Sequence, residues 1–248
     1  MNADIKKIED LSLNAWPSHQ IELYDGWLLR FSYFYTHRTN SAEQIGPSTI
    51  PLDEKIKYCE ERYTKWNTPA IFKISPLLSP SFDEMLAARG YEIQHKTHVM
   101  TKSLETAYPV NPSVKVELSS EISSKWIQGL FQLKGTTNLK HRQIVPSMYS
   151  AIPKDVICAN ILCDGKVAAT GLGILDREYI GLYAIHVDEA YRGQHWGKAI
   201  CTSILNKGME MGASFAYLQV VSGNTPAKNL YTSLGFEYFY TYWFRVKE

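Results

Sequence analysis

The feature that most restricts how this chain can fold is an internal repeat. An Asp-Gly pair sits between two apolar runs twice, in Ile21-Glu22-Leu23-Tyr24-Asp25-Gly26-Trp27-Leu28-Leu29-Arg30-Phe31 and in Asn160-Ile161-Leu162-Cys163-Asp164-Gly165-Lys166-Val167-Ala168-Ala169. Asp-Gly tolerates the positive φ angles of a tight turn, so each run predicts two antiparallel strands. The two hairpins lie about 140 residues apart, and the likeness continues downstream. Residues 71–74 and 217–221 each predict a short buried strand. A loop to a proline follows (Pro80, Pro226), then a helix, then a glycine (Gly90, Gly235) suited to a left-handed helix cap. Both copies end in β-rich tails, 95–100 and 238–246.

The repeat predicts two related units, 1–108 and 113–248, joined where Tyr108-Pro109-Val110-Asn111-Pro112 reads as a linker. The expected class is α/β (α+β), each unit a mixed, mostly antiparallel sheet flanked by helices. The second unit is the fuller copy. It opens with a strand at 114–118, after which Ser119 and Ser120 cap an amphipathic helix running to about residue 133. A second helix at 139–149 precedes the strand that starts at Val156. The first unit opens on one short helix, 5–15, and has another between residues 50 and 66.

Composition narrows the chemistry. The 45% hydrophobic fraction builds a core without metals or disulfides, and a formal net charge of +1 gives no electrostatic case for nucleic acid or an anionic membrane. The opening MNADIKKIED lacks the apolar stretch of an export signal, and no apolar run is long enough for a membrane span. Cys59, Cys158, Cys163 and Cys201 form no CxxC pair, so reduced thiols in a cytoplasmic protein are expected. Cys158 and Cys163 lie in a strand-like run with no second Cys/His pair, and no metal site is expected.

The most informative stretch runs from Leu182 through Ile185, Val187, Tyr191, Arg192, Gly193, Gln194, His195, Trp196, Gly197 and Lys198 to Ile200. An apolar strand ends at Val187, and a glycine-containing loop then opens a helix. Such a loop directs backbone N–H groups at a phosphate, and the helix dipole adds positive potential. It is neither GxGxxG nor a GK[ST] loop, which argues against dinucleotides and nucleoside triphosphates.

This stretch resembles the GCN5-related N-acetyltransferase (GNAT) signature R/Q-x-x-G-x-G/A. Arg192 and Gly197 fill its first and last positions, and His195 stands where a glycine is usual. A side chain there threatens to crowd the phosphates or to prevent a positive φ. Asn224-Thr225-Pro226-Ala227 and Leu230-Tyr231-Thr232-Ser233-Leu234-Gly235-Phe236 resemble the family's N-x-x-A-x-x-L-Y-x-x-x-G-F block. The resemblance covers roughly 114–248, with 1–108 a degenerate copy in which no glycine loop precedes the helix and Leu86 falls where Tyr231 stands.

The resemblance implies acetyl-CoA as co-substrate. Backbone groups of Ile185 and Val187 would hold the pantetheine arm and polarise the thioester. Arg192, Gly193, Gln194, His195, Trp196, Gly197 and Lys198 would form the pyrophosphate loop, and Asn224 would touch the cofactor arm or cap its helix. Tyr231 would be the general acid that protonates the departing thiolate. Asp176, Glu178, Tyr183 and His186 are the candidates for the base. The polar run His37-Arg38-Thr39-Asn40-Ser41 contacts substrate or, the reading preferred here, forms a surface loop.

The expected activity is acetyl transfer to a primary amine on a small molecule, in a monomer or homodimer. A protein or peptide acceptor and a non-catalytic acyl-CoA sensor are the alternatives. Acceptor identity lives in side chains that vary freely within a fold.

Overall fold

The computed structural model describes residues 2–247. The first half runs α1 (Asn2–Ala15), β1 (Gln20–Tyr24), β2 (Trp27–Phe31), β3 (Ala42–Gln44), α2 (Leu52–Thr64), β4 (Ile71–Ile74), α3 (Pro80–Ala88) and β5 (Glu92–Ser103). The second runs β6 (Glu117–Ser119), α4 (Ser124–Leu133), α5 (Leu139–Ser150), β7 (Asp155–Cys163), β8 (Lys166–Asp176) and β9 (Tyr179–Val187). It finishes with α6 (Trp196–Glu210), β10 (Phe215–Val221), α7 (Thr225–Ser233) and β11 (Glu237–Val246).

Local chemistry accounts for most boundaries. Asp25 and Gly26 take φ of 43° and 74°, and Asp164 and Gly165 take 49° and 75°. These are the two left-handed residues of a type I′ hairpin turn, and they join β1 to β2 and β7 to β8. Beyond the last turns of α3 and α7, Gly90 and Gly235 both stand at φ 83°, stopping each helix where the sequence predicts.

The described residues form one sheet of eleven strands, ordered β1-β2-β3-β4-β11-β5-β10-β9-β8-β7-β6. Each half sends its last strand to the other. β5 pairs antiparallel with β10, Val99 opposite Gln219, while β11 pairs antiparallel with β4, Phe244 opposite Lys73. The two exchanged strands also pair with each other at the centre. Read outward from that pair, both sides repeat the same order of elements.

Alternate residues serve opposite faces, as the period of a strand requires. Ile71 and Tyr217 meet Ile5, Ile8 and Leu11 of α1, while their neighbours Phe72 and Leu218 enter the cores under α2–α3 and α6–α7 respectively. Helices α4 and α5 share the α1 face and bury Trp126, Leu130, Val145 and Met148 against Cys158, Leu172 and Ile174. Gly171 and Gly173 of β8 let α6 lie close: a Cβ on either would come within 2.3 or 2.4 Å of Ile200 or Ile204. Among the described residues no helix is long and apolar enough to cross a membrane.

Two expectations need correction. The first α4 turn is not capped by Ser119 or Ser120. Ser119 ends β6, and its hydroxyl accepts from Glu121 N–H in a tight turn. Ser123 is the cap, its Oγ accepting from Trp126 N–H at 3.2 Å. The run 37–41 is not a surface loop, because Thr39, Asn40 and Ser41 are fully buried. The Asn40 carboxamide replaces solvent there, accepting from Ser32 and Phe34 N–H and donating to Thr36 C=O. A polar run that satisfies its own backbone can be buried.

Candidate active site

The site is built on β9. Its pairing with parallel β10 extends from Tyr179 and Phe215 to Leu182 and Leu218, after which both strands run on without pairing each other. A bulge follows at once: the β8 register skips between Leu172–Tyr183 and Thr170–His186, Ala184 takes φ 50°, and Thr170 Oγ1 donates to its carbonyl at 3.0 Å. The bulge sorts the side chains of the splayed segment. Ile185 and Val187 pack toward the α6–α7 core, whereas Tyr183, Ala184 and His186 face a cavity on the opposite side.

On the α6 side, Asp188 Oδ1 accepts from Ala190 N–H and holds a single 3-10 turn at 189–191. Gly193 at φ 79° and His195 at φ 61° then turn the chain into α6. Histidine thus adopts the left-handed geometry that the sequence expectation feared it would prevent, and its exposed ring makes no capping bond to the helix. Ala199 N–H to His195 C=O, 3.0 Å, begins the helical ladder, so the N–H groups of His195, Trp196, Gly197 and Lys198 lie outside it. Arg192 pairs with Glu189 at 2.9 Å, both exposed. Trp196 stacks on Tyr191 with centroids 4.3 Å apart, which stiffens the loop entrance.

Tyr231, on α7, is 8% exposed and shares the core to which Ile185, Val187 and Trp196 also pack. Burial, aided by the Cys201 thiol nearby, raises its phenol well above the usual tyrosine range, so it holds its proton at neutral pH. Asn224 caps α7, accepting from Ala227 N–H at 3.2 Å.

The cavity on the other face has a volume of about 190 Å³ and is lined from both halves. Trp16, Tyr35 and Arg38 come from the first half, while Lys134, Tyr149, Tyr183 and His186 come from the second. Trp16 lies against Tyr149 at 5.0 Å and Tyr35 at 6.4 Å, forming an aromatic wall. Tyr183 shares a 2.7 Å hydrogen bond with buried Tyr217. Burial, with Lys134 and Arg192 adding positive charge, lowers His186 to about 4, so its imidazole is neutral at pH 7.

The four base candidates separate cleanly. Asp176 is held by Lys154 at 2.9 Å and Asn14 at 2.7 Å, and Glu178 by Lys7 at 3.0 Å. Neither lines the cavity, whereas Tyr183 and His186 do. Sequence reasoning missed Trp16, Tyr35, Lys134 and Tyr149 entirely. Arg38 was legible only as part of a polar run. The signal that would have found them is spatial, since they converge from segments up to 170 residues from His186.

The corresponding loop of the first half, which leads into α2, is occupied from within. The Asp25 carboxylate accepts from Ile50 N–H at 2.8 Å, Thr49 N–H at 2.9 Å and the Ser48 hydroxyl at 2.9 Å. Lys55, fully buried, adds its ammonium at 3.1 Å. The Ile50 N–H above all holds this carboxyl far below the usual carboxylate range. A protein anion therefore takes the amides that a phosphate would need.

The family model described as probable histone acetyltransferase Rv0428c C-terminal matches residues 2–244. YobR of Bacillus subtilis (strain 168), an uncharacterized N-acetyltransferase, is 27% identical over 247 residues, 98% of this chain and 99% of that protein. A GCN5-related N-acetyltransferase from Kribbella flavida superposes with a TM-score of 0.70 at 15% identity, covering 100% of this chain and 95% of that one. A tandem GNAT protein from the clavulanic acid biosynthesis pathway superposes at 0.68 and 13% identity, covering 84% and 75%. The chain belongs to the family described as probable histone acetyltransferase Rv0428c C-terminal, a family of acyltransferases, and has the fold of GCN5-related N-acetyltransferases.

Proposed function

We propose that this chain transfers an acetyl group from acetyl-CoA to a primary amine on a small molecule by direct attack. The carrying observation is the splay of β9 from β10, with an N–H-rich loop and Tyr231 on one side and the cavity on the other. In this reading residues 1–108 and 113–248 are two related units, and the second alone takes the co-substrate.

The residues present fit an acyl-CoA. The loop from Arg192 to Lys198 offers backbone donors to the pyrophosphate, and no atom lies within 4 Å of where a Cβ on Gly193 would point. Backbone groups of Ile185 and Val187 hold the pantetheine arm, with Asn224 at its edge. Bound acetyl-CoA supplies the activated carbonyl. Neutral His186 accepts a proton from the incoming ammonium and passes it to water. The C–N bond then forms as the C–S bond breaks, and Tyr231 gives its proton to the departing sulfur. The second amine proton returns to Tyr231, leaving the amide and the thiol.

The loop geometry at His195 favours this reading over an acyl-CoA sensor, and the size of the cavity favours a metabolite over a peptide. Calorimetric titration with acetyl-CoA, with free CoA and ATP as controls, tests the first step, and thiol release with an amine tests the second. Saturable one-to-one binding of acetyl-CoA with ATP silent is expected. An absence of binding at millimolar concentration would remove the reading.

A further inference from the structure

The cavity carries a charge pattern that selects its occupant. Arg38 and Lys134 both line it, and among the described residues no aspartate or glutamate does. The chain pairs its buried cations with carboxylates: Arg30 with Glu43, Lys73 with Glu9 and Glu43, Lys55 with Asp25. Arg38 breaks that habit. Its Nε donates to Tyr242 Oη at 2.7 Å, and no carboxylate lies within 4 Å of it among the described residues. Lys134 likewise donates to a phenol, Tyr35 Oη at 2.8 Å, and its ammonium stands 5.0 Å from that ring.

A half-buried guanidinium with no paired carboxylate is partly desolvated, a cost that an anionic ligand offsets. Its planar fork suits a carboxylate in particular. The remaining walls are apolar and aromatic: Trp16, Tyr149, Leu172 and Ile174. Neutral His186 adds no charge at pH 7. Resting on the acetyl-transfer reading, we infer that the acceptor is a small amino-carboxylate. Its carboxylate meets Arg38 and Lys134, its amine lies at His186 and Tyr183, and its apolar side chain rests on the aromatic wall. A polyamine or a lysine-rich peptide brings further cations to a site with no anion to meet them.

The test compares acceptors that differ only in the carboxylate: L-phenylalanine with 2-phenylethylamine, L-leucine with 3-methylbutylamine, and 4-aminobutyrate with propylamine. Spermidine and a lysine-rich peptide complete the panel. Thiol release from acetyl-CoA is read for each, and binding is read separately by calorimetry in the presence of free CoA. At least one carboxylated member is expected to exceed its partner about tenfold or more in kcat/KM, as the loss of a charge-assisted contact implies. Arg38→Gln brings that ratio toward one, chiefly through KM. Lys134→Gln, at the exposed C-cap of α4, does so more weakly and serves where Arg38→Gln fails to fold.

Equal or better turnover of the decarboxylated or polycationic amines overturns the inference and leaves acetyl transfer standing. Should acetyl-CoA neither bind nor react, acetyl transfer falls, and the inference then rests on the calorimetry: the carboxylated member must still bind about tenfold more tightly. No discrimination in either readout overturns it.

Discussion

His195 and Tyr231 are the two residues whose individual chemistry is open to direct test. A non-glycine residue at φ 61° forgoes about 1–2 kcal/mol of backbone preference, though histidine is among the residues found there more often than most. His195→Gly is therefore expected to hold or raise stability by up to about 1 kcal/mol, with acetyl-CoA affinity retained. His195→Val, β-branched at the same φ, should lose about 1 kcal/mol or more and bind acetyl-CoA more weakly. Urea unfolding and calorimetry on the two variants measure both effects. Tyr231→Phe removes the proton from a buried phenol while keeping its ring against Phe236. Turnover should fall about a hundredfold or more while acetyl-CoA affinity stays nearly unchanged. Undiminished turnover would dismiss Tyr231 as the acid.

At the scale of elements, the exchange of β5 and β11 governs what can fold alone. A fragment of residues 113–248 lacks the strand that covers β10, and a fragment of 1–108 lacks the one that covers β4. Each would expose a full strand edge and the apolar residues beside it. Expressed singly, both are expected to be insoluble or to lack a cooperative unfolding transition. Expressed together, they are expected to restore a soluble complex. A fragment that melts cooperatively alone would contradict this dependence. The same exchange marks the boundary of what sequence could tell. The hairpins, α3, α7 and their cap glycines were legible because Asp-Gly, proline and glycine act within a few residues of themselves. The partner of a strand is not written locally, so the crossing of β5 and β11 stayed hidden behind the sequence repeat. Asn40 concealed the burial of the 37–41 turn in the same way, because its side chain does the work expected of water. Around the proposed site, the glycine-containing loop was visible in the sequence and Tyr231 entered through the family resemblance, whereas the cavity, assembled from Trp16 to His186, was not visible.

For the molecule as a whole, acid is the condition that tests burial most broadly. Desolvation lowers both His37 and His186 to about 4, helped at His37 by His95 and at His186 by Lys134 and Arg192. In the unfolded chain both return to about 6.5, so between these values the unfolded state binds more protons and stability falls as pH falls. The contribution is whole above about pH 6.5 and is lost toward pH 4, on the order of 3 kcal/mol for His186 and less for half-buried His37 after allowance for screening. Urea midpoints at pH 7 and pH 5 should differ, and the difference should shrink in a His37→Gln/His186→Gln double variant. The internal anion of the first half has a further consequence, this one for inheritance. Asp25 fills the first loop with protein, and on the proposed reading that half takes no acyl-CoA and lends Trp16, Tyr35 and Arg38 to the acceptor wall. On that reading, selection on acceptor choice can act on the first-half share of the wall while the loop from Arg192 to Lys198 stays unchanged. Recombination between relatives is nevertheless constrained by the exchanged strands. A crossover in the linker near residue 108 would import a foreign β5 beside β10, whereas a crossover near residue 90 carries the wall across and leaves β5 with its own half-sheet. Both joins leave β11 beside a foreign β4, so chimeras joined at Gly90 are expected to fold more readily than those joined in the linker, and to carry over the first-half share of the wall.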